Sequence, residues 1–286
     1  MAHKEITRMV PGAKYAVLMV HGILGTPDHF AELIPLVPES WSLHAVLLPG
    51  HGGKVEDFSH SSMKQWKAHV FSRLEELLES HERVIIAAHS MGTLFAIQAS
   101  LRYPGRIPAL FLLGSPLRVF VRPKSAVDAV LMSVFGYVNA KDQSAADMRR
   151  GCSVEADWRV WKYPFWIPRF LELFKEIWDT RMLLPKITVP TQVFQSRHDE
   201  LVHPSSFDDF LGYDAITVTM LPDSGHFGYR EQDLSLLKER FAEMLNLSAN
   251  NHPVIPSDRR ESRDLRSFAV PRSFDSLTLA QDDMRN

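Results

Sequence analysis

The chain has 286 residues, 45% of them hydrophobic and 23% charged, which is the composition of an ordinary globular protein with a sizeable core. Its 32 basic and 34 acidic residues give a formal net charge of −2, so there is no basic footprint for nucleic acid. The single cysteine, Cys152, excludes an internal disulfide framework and a cysteine-based metal cluster.

Hydropathy along the chain also narrows the class of protein. No apolar stretch approaches the roughly 20 residues that a membrane-spanning helix needs. The first residues lack the apolar segment of a signal peptide. We therefore expect a cytoplasmic protein with no membrane span and no nucleic-acid partner, which makes at most transient contact with a lipid interface.

Short apolar runs alternate with helical patterns, which is typical of parallel strands joined by crossover helices. In chain order, strands are predicted at residues 15–20, 44–48, 83–88, 109–113, 191–195 and 216–221. Apolar residues at helical spacing predict helices at residues 63–80, 91–102 and 234–245. The pattern favours an α/β fold in which a mostly parallel sheet is flanked by helices.

Two regions interrupt this alternation. Residues 117–185 show a helical, irregular pattern and contain four of the six tryptophans, so we predict a helical cap or lid insertion. Residues 250–286 are rich in Ser, Arg and Asp and predict a disordered polar tail, with a docked amphipathic helix as the alternative. The core is thereby divided into two parts, residues 1–116 and 186–249.

The most informative stretch is Ala88-His89-Ser90-Met91-Gly92, which lies between a predicted strand and a predicted helix. A strained strand-to-helix turn of this kind, with small residues on both sides, lifts the serine hydroxyl clear of the backbone. The helix N-terminus favours negative charge developing there. We predict Ser90 as a catalytic nucleophile; the alternative is a buried structural serine.

A serine nucleophile needs a base, and His226 is the best placed of the 13 histidines. It follows the last predicted strand, at the carboxyl edge of the sheet, where open α/β folds place their sites. His21, His51 and His89 come near the same edge and are candidate lining residues. His198 and His203 are more typical of local or solvent-facing positions.

The acid that orients the histidine is predicted to be Asp199, in the loop after the strand at residues 191–195. Its rivals are Glu200, which should point away from His226 if Asp199 points toward it, and Asp223, three residues before the histidine. The backbone N–H groups of Ile23 and Met91 are the candidate oxyanion-hole donors, because one follows the first relevant strand and the other follows the nucleophile.

These motifs together resemble the α/β-hydrolase superfamily over residues 15–245. The resemblance rests on His21-Gly22, Pro49-Gly-His-Gly52, the Ser90 turn, His198-Asp-Glu-Leu-Val202 and Ser224-Gly-His226, which occur in the superfamily's order. The first two motifs are similar to those of bacterial monoacylglycerol lipases and related carboxylesterases. Ala88, where a glycine is usual, and the polar tail depart from the pattern.

The resemblance implies an α/β-hydrolase fold and a serine esterase or lipase that forms an acyl-enzyme through Ser90, Asp199 and His226. It implies no organic cofactor and no metal. We expect a small ester substrate with a medium-chain acyl group, such as a monoacylglycerol, because aromatic side chains of the insertion could bury the chain at roughly 0.8 kcal/mol per CH₂. These aromatics are Trp158, Trp161, Phe165, Trp166 and Phe170. A short-chain carboxylesterase, a thioesterase and a non-enzymatic hydrolase-fold protein are the alternatives.

Overall fold

Seven strands form one sheet in the computed structural model, which describes residues 3–139 and 141–250. In chain order the strands are β1 (Ile6–Arg8), β2 (Tyr15–Val20), β3 (Ser42–Val46), β4 (Arg83–His89), β5 (Leu110–Leu113), β6 (Thr191–Ser196) and β7 (Ile216–Leu221). Their spatial order is β1-β3-β2-β4-β5-β6-β7, and all neighbours are parallel except β1 and β3. The predicted α/β fold with a mostly parallel sheet is confirmed.

The α-helices follow β3, β4, β5 and β7 along the chain. They are α1 (Val55–Ser59), α2 (Met63–Ser80), α3 (Met91–Arg102), α4 (Pro123–Phe135), α5 (Gln143–Gly151), α6 (Ile167–Arg181) and α7 (Glu231–Ala249). Helices α4, α5 and α6 all lie between β5 and β6, and the described part of residues 117–185 contains no strand. It contributes one isolated bridge, between Val119 and Val202.

The sheet is buried on both faces, as parallel sheets are, and the alternation along β4 shows how. Val84, Ile86 and Ala88 belong to the apolar core that includes buried residues of α2 and α3. Ile85 and Ala87 point the other way, into the core that includes buried residues of α7. Helices cover both faces, so the accessible part of the sheet is the edge at which the parallel strands end. A site can form there, at the carboxyl ends of β2, β4, β5, β6 and β7.

Two details of the strands differ from the sequence prediction. Strand β1 was not predicted, and it pairs antiparallel with β3 at the edge of the sheet. Strand β3 ends at Val46, two residues earlier than expected. The backbone N–H of Leu48 donates to Nε2 of His21 at 3.0 Å instead of extending the sheet.

Two further expectations concern the ends of the chain and the membrane. No helix in the described ranges is long and apolar enough to cross a bilayer. Of the predicted polar tail at residues 250–286, all but Asn250 lies outside the described residues.

Candidate active site

Ser90 occupies a strained turn between β4 and α3. Its φ of 52° and ψ of −127° lie outside the regions that a non-glycine residue ordinarily adopts. The turn is held by the Ser90 N–H, which donates to the Leu113 carbonyl at 2.8 Å, and by Thr93, whose N–H and hydroxyl both donate to the Ser90 carbonyl. Gly92 is required, because a Cβ there would collide with the Val20 carbonyl oxygen.

The loop after β2 approaches Ser90 closely. A Cβ on Gly22 would lie 2.6 Å from the Ser90 Cβ, so only glycine allows the two segments to meet. Next in this loop is Ile23, and Met91 follows Ser90 in the turn. Among the described residues, no acceptor contacts the backbone N–H of Ile23 or of Met91. Both predicted donor groups are therefore unpaired.

Asp199 and His226 form a buried pair. Nδ1 of His226 and Oδ2 of Asp199 are 2.8 Å apart, and the residues are 3% and 2% exposed. The other carboxylate oxygen of Asp199 accepts the backbone N–H groups of Leu201 and Val202 at 2.8 and 2.7 Å. The carboxylate is thus fixed in position and points one oxygen at the imidazole.

The backbone of His226 is held at two further points. Its N–H donates to Oε2 of Glu200 at 2.6 Å, and its carbonyl accepts from Nε2 of His89 at 3.0 Å. Glu200 is buried and contacts the histidine, so it does not point away as predicted. The Glu200 carboxylate thus contacts the backbone of His226, whereas the Asp199 carboxylate contacts its imidazole ring. The second rival acid, Asp223, is exposed.

Gly114, at the end of β5, leaves room for the histidine ring. A Cβ there would lie 3.3 Å from Cε1 and Nδ1 of His226, and Gly114 follows Leu113, the backbone partner of Ser90. The serine and the imidazole therefore both lie at the ends of β4 and β5. Among the described residues Ser90 Oγ has no hydrogen-bond partner. Such contacts are often loose in ligand-free structures and tighten when substrate binds.

Two histidines outside the Asp199–His226 pair shape the loop of residues 21–25. Leu24 adopts a left-handed conformation with a φ of 57°, and its N–H donates to Nε2 of His51 at 3.0 Å. Its carbonyl accepts the N–H of Ser153, from the segment between β5 and β6, at 2.8 Å. His21 contacts the same loop, since its Nδ1 is 2.8 Å from the Gly22 carbonyl oxygen. The sequence marked His21 and His51 only as lining residues.

The histidines differ in charge preference for physical reasons. Burial lowers the pKa of His226, but the charge of Asp199 and its hydrogen bond outweigh burial and leave that pKa above the ordinary 6.5. Burial lowers the pKa of His51 to about 4. Burial also lowers the pKa of His21 and of His89. Both imidazoles are therefore neutral at pH 7, with one ring nitrogen able to donate and the other able to accept a hydrogen bond. His226 is thus set apart as the basic imidazole.

The aromatic residues predicted to cover the serine have varied surroundings. Trp158, Trp161 and Phe165 are more than half exposed to solvent. Trp166 is buried, its ring 4.9 Å from that of Phe58 and its Nε1 donating to a backbone carbonyl of α1. No group of three or more His, Cys, Asp or Glu side chains in the described ranges could hold a metal ion.

Comparison with known proteins places the fold in a family. The model of the alpha/beta hydrolase family matches residues 17–237. That match covers well over half of the chain, and the chain belongs to this family.

Individual relatives agree with this placement. A carboxylesterase of Bacillus subtilis (strain 168) is 22% identical over 240 residues, covering 82% of this chain and 93% of the relative. A thermostable monoacylglycerol lipase of Bacillus sp. (strain H-257) is 24% identical over 236 residues, covering 79% and 88%. A solved structure from work on LipS and LipT, two metagenome-derived lipolytic enzymes, superposes with a TM-score of 0.65 at 20% identity, covering 86% of this chain and 98% of that one.

Proposed function

We propose that this esterase- or lipase-type hydrolase cleaves uncharged carboxylic esters of medium-chain acyl groups, monoacylglycerols among them, by nucleophilic catalysis. One observation carries the proposal: a buried Asp199–His226 pair lies at the same strand ends as Ser90, which is held in a strained turn at the start of a helix. Nucleophile, orienting acid and base (Ser90, Asp199 and His226) follow one another along the chain in the order that this fold uses.

In this mechanism His226 takes the proton from Ser90 Oγ as that oxygen attacks the ester carbonyl. Asp199 holds the Nδ1–H tautomer, so that Nε2 is the accepting nitrogen, and it stabilises the imidazolium that forms. His226 then donates the proton to the departing alcohol. Water, deprotonated by the same histidine, cleaves the acyl-enzyme and regenerates the serine.

The oxyanion of each tetrahedral intermediate would be held by the N–H groups of Ile23 and Met91. Two observations support this role: both N–H groups are unpaired among the described residues, and the two segments that carry them meet at Ser90 and Gly22. Donors held in place before the reaction need no reorganisation as charge develops, and losing one costs about 10²–10³-fold in kcat. His51 and Ser153 support them by holding Leu24 in its left-handed conformation.

Residues 117–185 are proposed as the cap over this centre. The support is their position between β5 and β6 and three backbone or side-chain contacts to the site loops: Ser153 with Leu24, Glu155 with Gly53, and Asp147 with Arg230. The names of relatives support the monoacylglycerol part of the proposal, and the aromatic composition of residues 117–185 supports the medium-chain part. The solvent exposure of Trp158, Trp161 and Phe165 favours a second candidate, a short-chain carboxylesterase or thioesterase.

The experiment is a series of p-nitrophenyl esters from C2 to C16, with monoacylglycerol and triacylglycerol for comparison. We expect kcat/KM to rise several-fold per added methylene up to medium length, as each CH₂ contributes roughly 0.8 kcal/mol on burial. A steady fall from C2 upward would replace the lipase proposal with the short-chain esterase. Ser90→Ala is the control, with an expected loss on the order of 10⁶-fold.

A further inference from the structure

His89 is the residue before Ser90, and its side chain contacts the loop that carries His226. Its Nε2 lies 3.0 Å from the backbone carbonyl oxygen of His226. A carbonyl oxygen can only accept a hydrogen bond, so Nε2 carries the proton of the neutral ring and donates. This bond joins the strand that ends at the nucleophile to a loop 137 residues further along the chain.

The imidazole of His89 is packed against two other histidine rings. The ring centroid of His29 is 3.6 Å from that of His89, with the planes inclined by 30°, and the ring centroid of His226 is 4.7 Å away. A Cβ on Gly114 would lie 3.6 Å from Nε2 of His89, so the end of β5 also borders the ring. His89 is only 3% exposed. These contacts restrict rotation of the ring and so fix the direction of its bond to His226.

The environment of His89 also keeps its ring uncharged. Burial lowers the pKa of His89, and the neighbouring His29 and His226 lower it further. A neutral imidazole has a single donor nitrogen and adds no positive charge beside the imidazolium that forms on His226 in the proposed mechanism. A lysine or arginine could donate the same bond, but its charge would oppose the imidazolium. The neutral donor is therefore suited to a position next to the base.

We propose that His89 is a positioning residue that fixes the base relative to the nucleophile. Asp199 and Glu200 also hold His226, but both belong to the loop after β6. Only one peptide bond separates His89 from Ser90, so its bond to His226 is a direct link between the two reacting side chains. Such a link matters because a displacement of about 1 Å can cost on the order of 10²-fold in rate. The inference rests on the proposed function, since it takes Ser90 and His226 as the reacting pair.

Two amide substitutions separate the hydrogen bond from the other properties of the side chain. In His89→Gln the amide nitrogen stands at the level of Nε2 and can donate to the same carbonyl, so most of kcat should be retained. In His89→Asn the amide nitrogen is one bond nearer the backbone, at the level of Nδ1, and cannot reach that carbonyl. His89→Asn and His89→Leu should therefore lower kcat on the order of 10–100-fold with KM little changed. Steady-state hydrolysis of a p-nitrophenyl ester gives both constants.

His81 provides a matched control, because it is a buried histidine at the opposite edge of the sheet. It precedes β4, and its ring nitrogens lie 2.8 Å from the Leu77 carbonyl oxygen and 2.8 Å from Oγ of Ser42, the first residue of β3. His81→Leu loses both contacts and should lower the melting temperature while leaving kcat unchanged. Loss of a buried histidine's hydrogen bonds is thereby separated from loss of the link to His226.

Three results would overturn the proposal: full kcat in His89→Leu, equal losses in His89→Gln and His89→Asn, or a change confined to KM. If His89→Leu does not fold, the comparison of the two amides decides. Labelling of Ser90 by an alkyl phosphonate distinguishes this failure from a failure of the proposed function. An unaltered protein that hydrolyses the ester and is labelled at Ser90 retains the proposed function whatever the His89 variants do. An unaltered protein that does neither loses both proposals.

Discussion

Two adjacent carboxylates hold His226 from different sides, and their substitution separates two roles. Asp199→Asn should lower kcat about 10³–10⁴-fold, because an amide favours the wrong imidazole tautomer. Glu200→Gln should cost less than about tenfold, since the amide oxygen can still accept the His226 N–H and only the charge assistance is lost. Steady-state hydrolysis of a p-nitrophenyl ester measures both. The reverse ranking would transfer the acid role to Glu200.

The raised pKa of His226 predicts how the activity depends on pH. The imidazole must be neutral to act as base, so kcat/KM should rise with pH through the histidine's pKa in the free enzyme. That acid limb should lie above pH 6.5, because the charge and hydrogen bond of Asp199 favour the imidazolium. In the residual activity of Asp199→Asn, only the charge of Glu200 still opposes the effect of burial on the pKa of His226, so the limb should move to lower pH. A limb at the same pH in both proteins would contradict this account.

Single positions also show what the sequence could and could not provide. Ser90, Asp199 and His226 were singled out because each follows a predicted strand at the same edge of the sheet. The position of Glu200 was not predictable, because nothing in a sequence tells which of two neighbouring carboxylates reaches a ring and which reaches a backbone N–H. That distinction depends on the path of the 197–202 loop.

At the scale of secondary-structure elements, the loop of residues 21–25 depends on a contact from another loop. His51→Phe removes the acceptor for the Leu24 N–H and should lower kcat on the order of 10–100-fold, with KM changed little. His51→Gln can present an oxygen to the same N–H and should retain most of kcat. Comparing kcat and KM for the two variants measures the effect. Equal losses in both, or a change confined to KM, would show that Leu24 does not control the donor geometry.

The bounds of helices and strands were predicted correctly where the apolar residues have a clear spacing. They were predicted poorly where contacts between residues distant in sequence determine where an element begins or ends. Helices α2 and α3 begin and end where the sequence predicts, since each has a clear apolar spacing. Strand β1 has three residues and is partly exposed, so it lacks the length and the apolar run that mark a strand. Just past the end of β3 the Leu48 N–H donates to Nε2 of His21, 27 residues away in sequence, a contact that no local pattern encodes.

For the molecule as a whole, buried neutral histidines predict how stability depends on pH. Burial lowers the pKa of His21, His51 and His89, so the unfolded chain binds protons below pH 6.5 that the folded protein does not. Their contribution to stability is present above pH 6.5 and is lost as pH falls toward the folded pKa values. His226 acts in the opposite direction but is one group against four, because burial also lowers the pKa of His29, to about 3.

We therefore expect the free energy of unfolding to fall between pH 7 and pH 5. Removing one titrating group, in His51→Gln, should make that fall smaller by about 2 kcal/mol, from its pKa of about 4 in the folded protein. Urea unfolding of both proteins at the two pH values provides the comparison. Parallel pH dependences in the two proteins would show that His51 is protonated equally in the folded and unfolded states.

The proposed reaction centres on one serine, Ser90, and a covalent probe tests that proposal most directly. An alkyl phosphonate that reacts with activated serines should add once per chain, on the peptide that contains Ser90, and abolish ester hydrolysis in proportion to labelling. His226→Ala should react much more slowly, because the hydroxyl loses its base. Intact-mass and peptide mass spectrometry measure both. Full hydrolysis without labelling, or labelling at a different residue with Ser90 unmodified, would contradict the account.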